Sequence, residues 1–143
     1  MVTPDGVTVE DWERVKEYAL EIVNASDEVV AIARTKRLLS YLELLSDKYG
    51  ALPSLMVTRA DYIEDEQERE LLYLSAYDVA ASRADALNCV NVAHSLAEFY
   101  VPRFERRDEA GKWLAQLKAH LEEHHDEHIG AAYRRLLREF HGS

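Results

Sequence analysis

Residues 85–101, DALNCVNVAHSLAEFYV, limit the fold more than any other stretch of the chain. Leu87, Val90, Val92, Ala93, Leu96, Ala97, Phe99 and Tyr100 make it apolar almost all round. Its polar exceptions, Asn88, Asn91, His94 or Ser95, and Glu98, recur at spacings of three and four. Residues so spaced are neighbours along one line of a helix surface. A helix apolar on nearly every side has to be surrounded by others. The spacing therefore predicts a central helix with one polar edge that faces a groove or solvent.

The rest of the chain supplies the neighbours. Thr8 to Asp11 approximates a capping box, and Trp12, Val15, Ala19, Ile22 and Val23 follow at helical spacing, predicting a helix over 9–24. Ser26 is a suitable cap for a long helix over 27–48, with Val29, Ile32, Leu38, Leu39, Leu42 and Leu45 inward and Gly50 as its left-handed end. Pro53 opens a helix through Leu55, Met56 and Tyr62, since proline suits the first turn. Asp65 and Glu68 repeat the capping pattern before a helix over 66–82. Pro102 ends the central helix, Asp108 caps the next one, through Trp113, Leu114, Leu117 and Leu121, and a last helix covers 126–140. No period-two run or hairpin dipeptide is present. The expectation is an all-α fold of about seven helices.

Charge narrows the partners. The 143 residues carry a formal charge of −10, which argues against nucleic acid and against anionic membrane surfaces. Residues 1–70 hold 16 acids and 8 bases, against 11 and 9 in residues 71–143, so the N-terminal half is the side for a basic partner. No apolar run approaches the roughly 20 residues that cross a bilayer, and the first 14 residues do not read as a secretory leader. Cys89 is the only cysteine, within an apolar helix, so it reads as a small buried side chain in a reducing cytoplasm.

Three helix ends look alike: Arg59-Ala60-Asp61-Tyr62, Leu96-Ala97-Glu98-Phe99 and Leu137-Arg138-Glu139-Phe140, offset by 37 and 41 residues. The chain then divides into an N-terminal capping helix within 1–26 and three helical hairpins, over 27–64, 66–101 and 108–140. Hairpins of this size bury their apolar faces by stacking. Leu96-Ala97-x-x-Tyr100, a loop, then Asp108-Glu109-Ala110 and Leu114 resembles the tetratricopeptide consensus, and a period near 40 resembles the long repeats of kinesin light chain. The resemblance implies a short α-solenoid whose concave groove binds a peptide or partner helix. The residues it assigns to that groove are Asn88 and Asn91, with Tyr73, Tyr77 and Glu98 beside them. An asparagine side chain both donates and accepts, so it can pair with an extended backbone. Asn88 and Asn91 read equally well as the wet edge of a buried helix.

Histidines offer a different chemistry. His120, His124, His125 and His128 contain HxxxH twice, and His94 to Glu98 is HxxxE. Imidazoles one helical turn apart can share a metal, and the pattern resembles the ligands of hemerythrin-type di-iron bundles. The repeat offset places Val79 in the slot of His120 and Arg135 in that of His94, so a solvated helix end accounts for the cluster better. His124 to His128 also matches the HxxEH of inverted zinc peptidases, but no third-ligand helix accompanies it. There is no phosphate loop, GxSxG or CxxC, so neither a catalytic residue nor a cofactor is expected. The expected function is protein–protein interaction. The alternatives are an acidic inhibitor or immunity-type protein that contacts a basic enzyme through Glu64 to Glu70, and a metal site at the histidines.

Overall fold

A computed structural model describes residues 5–142 of the chain. Seven α-helices form among the described residues: α1 (Val9–Val23), α2 (Glu28–Tyr49), α3 (Pro53–Tyr62), α4 (Glu66–Ser82), α5 (Ala86–Tyr100), α6 (Arg107–Glu123) and α7 (Glu127–Gly142). A short 3-10 turn, Phe104–Arg106, leads into α6, and no strand occurs among the described residues. The fold is all-α, as the hydrophobic spacing indicates. Residues 1–4, part of the stretch read above as lacking a leader, and residue 143 lie outside the described residues.

Most helix starts follow the caps. Thr8 accepts from the Asp11 amide at 3.3 Å, Asp65 from Glu68 at 3.0 Å, and Asp85 from Asn88 at 3.1 Å. Two expected caps differ. Asp27, not Ser26, accepts from the Val30 amide at 2.9 Å, because its carboxylate stands three residues before that donor. Asp108 lies inside the first turn of α6, because the 3-10 turn winds straight into the helix without a side-chain cap. Gly50 ends α2 at φ +86° and ψ −165°, a conformation open mainly to glycine.

Apolar packing forms two clusters. Val15, Leu38, Leu42 and Leu45 of the α1–α2 pair meet Val7, Leu52 and Leu55. Ala60, Tyr73, Val90, Leu96, Tyr100, Trp113, Leu117 and Leu136 lead the second, which spans α3 to α7. The ten-residue α3 feeds both clusters, through Leu55 and Ala60. Nine of the fifteen residues of α5 are buried, and it packs on α4 and α6 while also touching α3 and α7. Its apolar circumference is explained by those four neighbours.

Lengths decide what stays uncovered. At 1.5 Å per residue α2 is about 33 Å long and α3 only about 15 Å. α3 runs back along less than half of α2, so the N-terminal half of α2 has no partner on that side. Val29 and Ile32, expected to point inward, are 77% and 51% exposed. Leu20 and Val23 are exposed as well, on the opposite side of the turn that joins α1 to α2.

A polar knot holds the far end of that pair. Asp11 accepts from Lys48 Nζ at 2.8 Å, from the Tyr49 hydroxyl, and from the Tyr41 hydroxyl at 3.3 Å. The Lys48 bond, then the Tyr49 bond, hold the Asp11 carboxyl down to about 2 from its ordinary 3.8. A depressed carboxyl stabilises the fold above its unfolded value and loses that contribution as pH falls through the folded one. Titration of the Asp11 carboxyl by NMR should give a midpoint near 2. Lys48→Met should raise it, and a midpoint that does not move would remove Lys48 as the cause.

Candidate functional site

The polar edge of α5 does not form one groove with Tyr73 and Tyr77. Asn88 is only 5% exposed, and its Nδ2 donates to Asp85 Oδ2 at 2.8 Å, so the helix cap consumes it. Tyr73 is 3% exposed, and its hydroxyl donates to Asp61 Oδ1 at 2.5 Å. Burial and that bond push the Tyr73 phenol up to about 12. Tyr77 turns toward α6, with its ring edge-on to Trp113 at 4.7 Å and its hydroxyl 2.6 Å from His120 Nε2. Asn91 is half-buried. Glu98 is exposed and accepts from Arg135 at 2.8 Å, with His94 Nε2 at 2.9 Å. Of the five residues assigned to the groove, the structure brings Tyr73 and Glu98 to one pocket; Asn88 is a correction, since a buried, capped amide cannot reach a bound chain.

The histidines also find internal partners. His120 meets Tyr77, and His94 lies against a carboxylate that already holds an arginine. Among the described residues no group of three or more His, Cys, Asp or Glu is placed to hold a metal ion.

The concave surface lies instead where α3 stops covering α2. One face of α2, at positions 28, 31, 32, 35, 36 and 39, forms a wall of a depression of about 570 Å³. Tyr62 and Ile63 form the opposite wall, and Ala31, Ile32 and Leu39 give it an apolar floor. A second depression of about 550 Å³ shares Lys36, Leu39, Ile63 and Glu64 and continues toward Glu43, Asp65 and Glu68. A third, of about 190 Å³, shares Asp61 and Arg69 and ends at Tyr73, Ser95, Glu98 and Phe99. The three adjoin through these shared residues as a cleft between helices, a common place for binding sites.

Its electrostatics are acidic. Seven acids and four bases line the cleft. Two of the bases are occupied: Arg69 Nε donates to the Ala60 carbonyl at 3.1 Å, and Arg103 donates to the Phe99 carbonyl and to Glu66 at 2.9 Å. Asp61, at the junction, is exposed as a residue, while the surrounding protein partly desolvates its carboxyl. That desolvation raises its carboxyl above the usual range, against the Tyr73 bond and the Arg69 charge, with Glu98 pushing the same way. A perturbed carboxyl in a cleft is a functional-site candidate.

The sequence signal for this site was the second apolar stripe on α2. Ala31, Ile32 and Leu39 run beside the core stripe of Leu38, Leu42 and Leu45, and one helix neighbour can cover only one of them. The acid–aromatic repeat was a second signal, since Asp61 and Glu98 share the small pocket. An apolar floor with a carboxylate rim is suited to recognition of a chain that is itself apolar and basic. Comparison with protein family models, curated proteins and solved structures finds no match.

Proposed function

We propose that this chain is a protein-interaction module that binds an apolar, basic segment of a partner protein in the cleft between α2 and the α3–α4 junction. The observation that carries this reading is the uncovered face of α2, where Ala31, Ile32 and Leu39 sit inside a rim dominated by carboxylates. Charge complementarity selects the occupant, because an acidic cleft on a chain of charge −10 attracts a basic partner and repels nucleic acid. The same cleft gives the acidic-inhibitor alternative its contact, since Glu64, Asp65 and Glu68 form one of its walls. Glu66 and Glu70 pair with Arg103 and Arg106 and so are already committed within the fold.

The reading extends to a tetratricopeptide-like arrangement in which α3, α5 and α7, carrying Asp61, Glu98 and Glu139, are the second helices of successive hairpins, and α5 touches both α3 and α7. Binding, and not catalysis, is the role we assign, in a reducing compartment such as the cytoplasm that suits the free, buried Cys89. Among the described residues no helix is long and apolar enough to cross a membrane.

A labelled amphipathic Lys/Leu helical peptide should bind, and its Glu/Leu counterpart should not. Ile32→Gln should weaken the binding about tenfold, roughly 1.4 kcal/mol. Leu71→Gln, on the exposed face of α4 and outside the cleft, should leave it unchanged. Equal affinities for the two variants, by fluorescence anisotropy, would refute the assignment.

A further inference from the structure

We infer that the occupant of the cleft is an α-helix of about three turns, carried by a partner protein, which packs on α2 where α3 stops. This rests on the cleft reading above and names the form, length and packing of the bound segment.

The α2 wall has the relief that a helix fits. Glu28, Ile32 and Lys36 form one row at a spacing of four, and Ala31, Thr35 and Leu39 form the row beside it. Such rows are ridges, and the groove between two of them receives a ridge of another helix. Ala31 and Thr35 keep the second ridge low, and the Thr35 hydroxyl lies down on the Ala31 carbonyl at 2.8 Å. Further along α2 the neighbouring leucines, Leu38, Leu42 and Leu45, already pack with Leu55 of α3. A helix is therefore what this side of α2 accepts where it is covered.

The backbone around the cleft excludes an extended occupant. A bound strand needs an edge of free amides and carbonyls to pair with. Past its first turn the α2 backbone is bonded within its own helix. On the other wall the Ile63 amide donates to the Ala60 carbonyl at 3.3 Å. The Glu68 and Arg69 amides donate to Asp65, at its Oδ1 and its carbonyl, both at 3.0 Å. A segment laid between these walls has to satisfy its own buried backbone, and a helix does so.

Length and charge complete the description. Positions 28 to 39 of α2 line the cleft over about 18 Å, a little more than three helical turns. Toward the other end of α2 the space is taken by α3. The two depressions on α2 are lined by six acids and three bases, and the chain carries −10, so two copies placed face to face repel. A partner helix with lysine or arginine beside its apolar stripe has the complementary charge.

The test compares two labelled Lys/Leu peptides of about 12 residues and identical composition by fluorescence anisotropy. One places its leucines at spacings of three and four, the other at alternate positions. The first should bind about tenfold tighter, and an isotope-labelled sample of it should move to helical Cα chemical shifts when bound. Shortening it to about 8 residues should weaken binding about tenfold, while lengthening it to about 18 should change binding less than about threefold. Equal affinity for the two isomers, no helical shift, or affinity that climbs steadily with length would each overturn the helix. Ile32→Gln separates this proposal from the one it rests on. If it weakens both isomers to the same extent, the cleft stands and the helix falls; if it weakens neither, the cleft falls as well. A dimer of the free chain in sedimentation that Ile32→Gln dissolves would make a second copy the occupant and overturn the partner helix.

Discussion

Leu96→Ala should destabilise the protein by about 2–5 kcal/mol, the range for a leucine truncated where neighbours cannot collapse. Leu96 is fully buried at the centre of α5, inside the cluster shared by five helices. Helices on several sides hold their positions, so the cavity would remain and not be filled by one neighbour moving inward. In a chain of 143 residues that cost lowers the melting temperature by roughly 10 °C. Leu71→Ala, at a position 65% exposed on α4, should stay within about 0.5 kcal/mol and serves as the control. Unfolding of both proteins should follow one transition, although two apolar clusters exist. The reason is α3, which places Leu55 in one cluster and Ala60 in the other on a single ten-residue helix. Equal midpoints for Leu96→Ala and Leu71→Ala in urea would show that α5 is not the centre of the core.

What could be read in advance divides along a physical line. Helix number and the caps at Thr8 and Asp65 are local events, decided by a side chain and an amide three residues away. The burial of α5 was legible for a related reason, since an all-round apolar surface leaves no other outcome. Which groove exists was not legible, because it depends on the phase and length of different helices. The line of polar residues on α5 pointed to a site, but Asn88 turns back to its own cap and Tyr77 finds His120. Ile32 looked like core until the shortness of α3 left it without cover. The pairs Tyr73 with Asp61 and Tyr100 with Glu70 join different helices, and periodicity within one helix carries no information about them. Asp61 and Glu98, 37 residues apart in the repeat, line one pocket, although their shared slot reads from the sequence as a structural helix end.

Glu70→Ala should be the most damaging change outside the apolar core. Glu70 takes two hydrogen bonds from Arg106, at 3.2 and 2.5 Å, and one from the Tyr100 hydroxyl. A forked arginine–carboxylate pair of this kind is stronger than a single bond, and it ties α4 to the turn that follows α5. The two partners respond differently to its loss. Arg106 has a third of its side chain exposed and can recover water, so its own penalty is small. Tyr100 is 1% exposed, and its hydroxyl would have to find another acceptor in the core or go without. An orphaned buried hydroxyl costs about 1–3 kcal/mol, so the loss should fall in that range and come mainly from the tyrosine. Glu70→Gln retains an acceptor for Tyr100 and loses only the charge, so it should cost less. Arginine bonding holds the Glu70 carboxyl below its ordinary 4.5, helped by the Tyr100 bond. A depressed carboxyl contributes fully above its unfolded value, and that contribution fades as pH falls through the folded one. The difference between wild type and Glu70→Gln should therefore be full at neutral pH and close at an acidic pH below the lowered folded value of the carboxyl. Glu70→Ala should keep part of its deficit there, because a protonated carboxyl still accepts from Tyr100 and a methyl group does not. Urea denaturation at the two pH values measures both; a wild type to Gln difference that persists on acidification would show that packing, and not the ion pair, is what Glu70 supplies.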